Sequence, residues 1–486
     1  MGSDMSHRVT TLLLLAVSLR AADYESGQAA RAVIGQASFS AHEGGIAATT
    51  LSLSNGKLYA ADETHRLVTF DVGQIPGAKD DFLERQGPCA LCGFPAVEQV
   101  DQAVLPGVAG VAVFRNTVAM VDTAHHRVLL WPDAATPQPI QIVLDLGEAA
   151  EPVSVALDGK RLYVGDAAAH RVLVWNALPA SDNQAADALL GAWSERPGAD
   201  SLNRPDALVS DGTNLFVADS IDRRILMFTA AETSLARNSV VNSASEAAGP
   251  LAPGTLVTIT GSALADSAIS SSDDGVQRLA GKLGGVEAIF DGVALPLLSV
   301  SPTEVKAQLP YDMGNASSGS LFVRTEHGDG SVTVTNATAL KLAATSPGLF
   351  AFGGAEPRTG LILHTNGSPE ASGRPVTTDD PARPGELLIF WATGLGTVES
   401  GSDKAPQMGT PYTGPSAGVT SKVGAIAGGR PAEVISAILP DRSIGVYEVR
   451  IVLPVDLPSD PKTELLIMQD GSASNTVTIP VRNIIQ

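Results

Sequence analysis

At 486 residues, 44% of them apolar, the chain is too long for one ordinary core and too hydrophobic to be disordered or collagen-like; about three domains are expected. Its net charge of −20 repels phosphate backbones and anionic lipid, which argues against nucleic acid as a partner and against membrane insertion. The acidity suits loosely held structural calcium, the one cofactor left open, but no D-x-D-x-D-G loop is present, and solubility is the simpler reading.

The chain opens with His7 and Arg8 before an apolar run from Val9 to Leu19, followed by Arg20-Ala21-Ala22. A short basic region, an apolar stretch of this length and small residues at the cut predict a secretory signal peptide over residues 1–22. The run is too short to span a bilayer. An exported protein, placed outside the cell, in the periplasm or on the cell surface, is therefore expected.

Beyond it, 48 glycines and 31 prolines punctuate short Val/Ile/Leu runs, and no long stretch has helical spacing, so the chain is predicted to be all-β. One motif occurs four times before residue 230. Its copies are Leu58-Tyr-Ala-Ala-Asp62 with His65-Arg-Leu; Val118-Ala-Met-Val-Asp122 with His126-Arg-Val; Leu162-Tyr-Val-Gly-Asp166 with His170-Arg-Val; and Leu215-Phe-Val-Ala-Asp219 with Arg223-Arg-Ile. The aspartates lie 60, 44 and 53 residues apart, a spacing that fits one four-stranded propeller blade per copy. Strands apolar at nearly every position suit sheets buried on both faces. Asn55-Gly56, Asp158-Gly159 and Asp211-Gly212 precede three of the copies and predict type I′ hairpin turns, with the weaker Arg115-Asn116 in the second. Ala32-Val-Ile-Gly35 precedes the first copy and is expected to complete the last blade, removing an exposed edge.

The repeated aspartates are expected to accept backbone N–H groups in the following turn. His65, His126 and His170 occupy one repeat position, spread around the ring, and Arg223 replaces the fourth. They are read as structural turn residues, not as metal ligands. Cys89 and Cys92 are the only cysteines; with no second pair to complete a zinc site, a local disulfide is expected in an oxidising compartment. No nucleophile elbow, H-E-x-x-H, phosphate-binding loop or dinucleotide fingerprint is present, so no catalytic residue is nominated and an enzyme is the less favoured reading.

From about residue 238 a second repeat appears. Pro253-Gly-Thr-Leu-Val-Thr-Ile259 matches Pro384-Gly-Glu-Leu-Leu-Ile-Phe390, and Val305-Lys-Ala-Gln-Leu-Pro310 matches Val449-Arg-Ile-Val-Leu-Pro454. The preserved order predicts two copies of one β-sandwich.

The first half resembles the NHL-repeat family, with Tyr163-Val-Gly-Asp166 and His170-Arg-Val172 nearest to its pattern; the resemblance implies a small propeller of about four blades and no single function. The second half, through Leu251–Leu264, Ser301–Pro310, Ala382–Glu386 and Ser474–Ile479, resembles the IPT/TIG-like immunoglobulin-like pair found on exported acidobacterial proteins, and implies an architectural or adhesive role. The expected domains are thus a signal peptide (1–22), a propeller (23–235) and two immunoglobulin-like sandwiches (236–344 and 345–486). The expected function is non-enzymatic binding or scaffolding, with a propeller face engaging a protein, peptide or glycan and the sandwiches as spacer or attachment. The alternative is a metal-assisted lyase or lactonase in the propeller channel.

Overall fold

The computed structural model describes residues 22–41, 45–54, 56–62, 66–74, 98–99, 110–133, 141–271, 278–365, 373–399 and 405–484. The expected signal peptide, the Cys89–Cys92 pair and His65 lie outside the described residues, as does the side chain of Asp62. The protein is all-β: among the described residues there is no α-helix, and so no helix long and apolar enough to cross a membrane.

Among the described residues the first half holds sixteen strands: β1 (Ala32–Ile34), β2 (Ala48–Ser54), β3 (Lys57–Asp62), β4 (Arg66–Asp71), β5 (Glu98–Gln99), β6 (Gly110–Phe114), β7 (Thr117–Asp122), β8 (Arg127–Trp131), β9 (Ile142–Asp145), β10 (Pro152–Leu157), β11 (Leu162–Asp166), β12 (Arg171–Trp175), β13 (Ala188–Leu190), β14 (Pro205–Ser210), β15 (Asn214–Asp219) and β16 (Arg224–Thr229). They form four antiparallel four-stranded sheets: β2–β5, β6–β9, β10–β13, and β14–β16 closed by β1. The amino-terminal strand thus covers the edge of the last sheet, pairing Ala32 with Met227 and Ile34 with Ile225.

The continuous apolar runs follow from stacking. In a strand, successive side chains point to opposite faces. Leu215, Val217, Leu226 and Phe228 share a core with Tyr163, Val172 and Val174 of the third sheet. The alternating residues Phe216, Ala218, Ile225 and Met227 pack instead with Leu58, Ala60, Val68 and Phe70 of the first. Leu162, Val164 and Trp175 likewise turn towards Ala119, Val121 and Leu130 of the second. Each large apolar side chain buried this way contributes about 1.5–3 kcal/mol before entropic costs.

The hairpin turns at Asp158 and Asp211 differ from expectation, while Asn55 of the first expected turn lies outside the described residues. Asp158 and Asp211 are followed by glycines with φ of 90° and 95°, but neither aspartate has positive φ, so these are not type I′ turns. The connections are longer, and the aspartates cap them. Asp158 Oδ1 accepts the amides of Lys160 and Arg161 (2.9 and 2.7 Å), and Asp211 Oδ1 those of Thr213 and Asn214 (2.9 and 2.7 Å). Side-chain capping fixes a loop that backbone geometry alone would leave loose.

The second unit consists of two five-stranded sheets facing one core, with Val257 and Ile259 on one and Val286, Ala288, Phe290, Leu321 and Val323 on the other. The third differs: its strands join into one curled eleven-stranded sheet. Strand Arg430–Leu439 makes the link, pairing at its start with Val423–Ala427 and, around a bulge between Val434 and Ser436, with Tyr447–Val452. A bulged strand that changes partners turns a corner in the sheet and wraps it around its core.

The three units are packed together. Ile289 and Phe322, on the outer face of the second unit, belong to the core of the first. Ala29 N–H donates to Ala337 O (3.0 Å), Ser320 Oγ to Ala30 O (2.6 Å) and Arg31 Nη2 to Thr335 O (2.7 Å), with the Arg31 guanidinium 4.7 Å above the Phe322 ring. Between the second and third units, buried Thr393 accepts from Leu256 N–H (3.0 Å) and donates to Gly445 O (2.7 Å). Buried Arg358 donates to the carbonyls of Ala244 and Ser245 and pairs with Glu246.

Candidate functional site

His126 and His170 both sit at φ 54° in the turn after their aspartate, and Arg223 has φ 53° at the same position. His126 Nδ1 meets Ala150 O at 2.6 Å and His170 Nδ1 meets Asn203 O at 2.5 Å. Each histidine therefore binds the loop that leads into the next sheet. Among the described residues no three His, Cys, Asp or Glu side chains gather where a metal could be held.

Asp166 and Asp219 accept backbone amides chiefly from the loop that enters their own sheet, not from the expected following turn: Asp166 Oδ1 from Glu151 (3.0 Å), and Asp219 Oδ1 from Asn203 and Arg204 (2.9 and 2.8 Å). Of the following turn, only Ala169 N–H donates, to Asp166 Oδ1 at 3.3 Å. Sequence reasoning missed their second partner. Arg127, Arg171 and Arg224, each five residues after its aspartate, donate Nε to the other carboxylate oxygen at 2.9, 3.3 and 2.9 Å. The regular Asp-to-Arg spacing in the last three copies was the available signal. Asp122 also accepts from His125 (2.8 Å); that hydrogen bond, with Arg127, holds its carboxyl below the usual carboxylate range.

The three pairs differ in depth. Arg127 and Arg171 are about one-third exposed, whereas Arg224 and Asp219 are fully buried. Buried Arg224 uses its remaining donors on Phe39 O (2.6 Å), Gly198 O (3.0 Å) and Ser201 O (2.9 Å), and its Nη2 lies 3.4 Å from the Asp222 carboxylate. A repeat element in the fourth sheet thereby fixes the loop around Phe39, and this loop lines a cavity.

That cavity is a cleft of about 670 Å³ where the three units meet. The first unit contributes the loop 37–41, anchored further by Ser317 N–H donating to Ser40 Oγ at 3.0 Å. The second contributes Phe290, Asp291 and Val293 and the loop 310–316; the third contributes Met408. Met408 is placed by its neighbour Gly409, whose N–H donates to the buried Gln308 Oε1 (2.7 Å).

Asp291 is the polar centre of this cleft. With Gly292 it forms a two-residue hairpin turn, φ 47° and 79°, between Val286–Phe290 and Val293–Ala294, which is the type I′ pattern. Asp291 N–H donates to Ser320 O (2.9 Å), and Ser320 N–H donates to Asp291 Oδ1 (2.7 Å). Gly319 leaves room for this packing, since a Cβ there would lie 2.4 Å from the Phe290 ring and 3.0 Å from Asp291 Oδ2. Burial among apolar groups pushes the Asp291 carboxyl up to about 7, against the pull of the single Ser320 amide. No lysine, arginine or histidine lines the cleft among the described residues.

No protein-family model and no curated protein sequence matches the chain. Solved structures show weak similarity. A computationally designed protein, Ika8, aligns over 60% of this chain and 70% of its own, at 14% identity and a TM-score of 0.19. The fibronectin(III)-like modules of Clostridium thermocellum CbhA align over 50% of this chain and 94% of theirs, at 16% identity and a TM-score of 0.13. SGBP-B of the Bacteroides ovatus mixed-linkage glucan utilization locus, in complex with a mixed-linkage heptasaccharide, aligns over 49% of this chain and 44% of its own, at 13% identity and a TM-score of 0.14. Overlays this loose carry no statement about function.

Two outcomes are expected from this geometry. Asp219→Ala leaves buried Arg224 with only the Asp222 carboxylate at 3.4 Å and is expected to cost up to about 3–5 kcal/mol in urea unfolding; Asp122→Ala, at a water-facing pair, costs much less. For Asp291 the folded-state pKa of about 7 lies above the ordinary value of 3.8. Between those values the folded state binds the extra proton, so this group makes stability fall as pH rises from about 4 to 7. Asp291→Asn should therefore gain in melting temperature relative to the parent protein between pH 4 and pH 8. A difference constant across that range would contradict the assignment.

Proposed function

We propose that the protein is an exported binding protein rather than an enzyme, built as an NHL-type four-bladed propeller followed by two immunoglobulin-like sandwiches, and that its ligand occupies the cleft between the three units. The observation that carries this reading is the cleft itself: about 670 Å³, largely apolar, with one half-buried carboxyl. Small-molecule sites are typically clefts of roughly 300–1,000 Å³ at domain junctions, with few polar groups fixing orientation.

This moves the site away from a propeller face engaging a protein, peptide or glycan, and gives the sandwiches a share in recognition beyond that of a spacer. The four-sheet arrangement supports the propeller reading, and the two-sheet core of the second unit supports the sandwich reading. An extracellular, periplasmic or cell-surface location accords with the amino-terminal sequence. The metal-assisted lyase reading loses its best ligands, because His126 and His170 are engaged with backbone carbonyls in separate turns.

The test uses the full chain with 13C-labelled methionine methyl groups, titrated with a diverse set of small fragments. Hits are expected to shift the Met313 and Met408 signals and to leave Met227 and Met468 in place. Fragments that gather elsewhere, or a turnover activity lost on chelation and on His126→Ala, would overturn the proposal.

A further inference from the structure

The chemistry of the junction cleft also selects the charge of its occupant. We propose that the cleft takes a small organic cation, an ammonium group on an apolar body, with the Asp291 carboxylate as its counter-ion; this rests on the cleft being a ligand site.

The polar side chains of the lining bear only acceptors of positive charge or neutral groups: Asp291 within, Asp312 at the exposed rim, and Ser38, Ser40 and Asn315 between. Asp291 Oδ1 accepts from Ser320, while Oδ2 has no hydrogen-bond partner among the described residues. A carboxylate flanked by apolar walls is costly to ionise alone, and a cation seated beside it offsets that cost. The walls, including Phe290, Met313 and Met408, suit the rest of such a ligand. An aromatic face attracts an ammonium, and the flexible, polarisable methionines adapt to its shape. The net charge of −20 adds a long-range attraction for cations and repels anions.

Among the described residues no cation lines the cleft; Arg278 lies beyond Met408, in a neighbouring cavity. The loop 37–41 carries no titratable group, and neither do the described residues 405–409. On the paired strands next to the hairpin, Glu287 and Arg324 pair with each other at 3.1 Å, four residues along from Asp291. Arg31, behind Ser320, is directed to Thr335 and Phe322. Tyr311 packs against the core of the third unit.

Pairing an ammonium with a carboxyl that titrates near 7 couples binding to proton release. An alkyl ammonium keeps its charge up to a pH of roughly 10, so only the carboxyl titrates between pH 6 and 8. Its ionised fraction rises roughly tenfold over that interval, and affinity for the cation rises with it.

The test is calorimetric titration of the full chain with 4-phenylbutylamine and with the neutral 4-phenylbutan-1-ol, at pH 6 and pH 8, in two buffers of different ionisation enthalpy. The amine is expected to bind roughly tenfold more tightly at pH 8 and to release about one proton at pH 6. The alcohol is expected to bind more weakly with no proton release, and Asp291→Asn to remove the preference for the amine. If the alcohol binds at Met313 and Met408 as tightly as the amine, with no proton release, the cation inference falls and the cleft remains a ligand site. If neither compound shifts those methyl signals, both fall. Proton release by the unmodified protein decides the matter even if Asp291→Asn does not fold.

Discussion

The extended segment from Ala29 to Ile34 is the constraint on which the rest of the structure depends. A buried backbone must find hydrogen-bond partners, and this one finds them on two sides. Ala32–Ile34 completes the fourth sheet by pairing with Ile225–Met227. Immediately before it, Ala29, Ala30 and Arg31 bond to Ala337, Ser320 and Thr335 of the second unit. One short stretch therefore closes the first half of the molecule and ties it to the neighbouring unit. Ser320 carries the connection onward, because the residue that holds Ala30 through its hydroxyl also holds Asp291 through its amide.

Seen from the cleft, the same economy of parts appears. Its first wall depends on the fully buried Asp219–Arg224 pair, which fixes the carbonyl of Phe39. Its floor depends on the Asp291-Gly292 turn, and its third wall on Gly409 docking onto Gln308. None of these supports is a loop acting alone; each is tied to a buried polar group whose loss would leave an unsatisfied partner. Walls held this way are fixed before any ligand arrives.

Much of the architecture was legible in the sequence. The repeated runs ending at Asp122, Asp166 and Asp219 are apolar at every other position and at the positions between, as stacking on both faces requires. The role of Ala32–Ile34 could be read because a fourth strand was missing from the last repeat. The turn role of His126 and His170 followed from their single repeat position. What could not be read depends on depth and on distant partners. The Asp-to-Arg spacing is the same at Asp122 and Asp219, yet one pair faces water and the other is sealed. Asp291 looked like an ordinary turn residue; its raised pKa comes from burial beside Phe290 and Gly319 and between walls supplied by residues 37–41 and Met408, against the pull of the Ser320 amide. The single curled sheet of the third unit was equally hidden, since it turns on one bulge between Val434 and Ser436.

If the three units fold as one body through shared cores, the cleft between them has fixed walls. Scanning calorimetry of the full chain tests it most directly. One cooperative transition is expected, with calorimetric and van't Hoff enthalpies in agreement, and Arg31→Ala should lower it or split it. Separate transitions in the unmodified protein, each unaffected by Arg31→Ala, would contradict the claim and leave the cleft without a rigid frame.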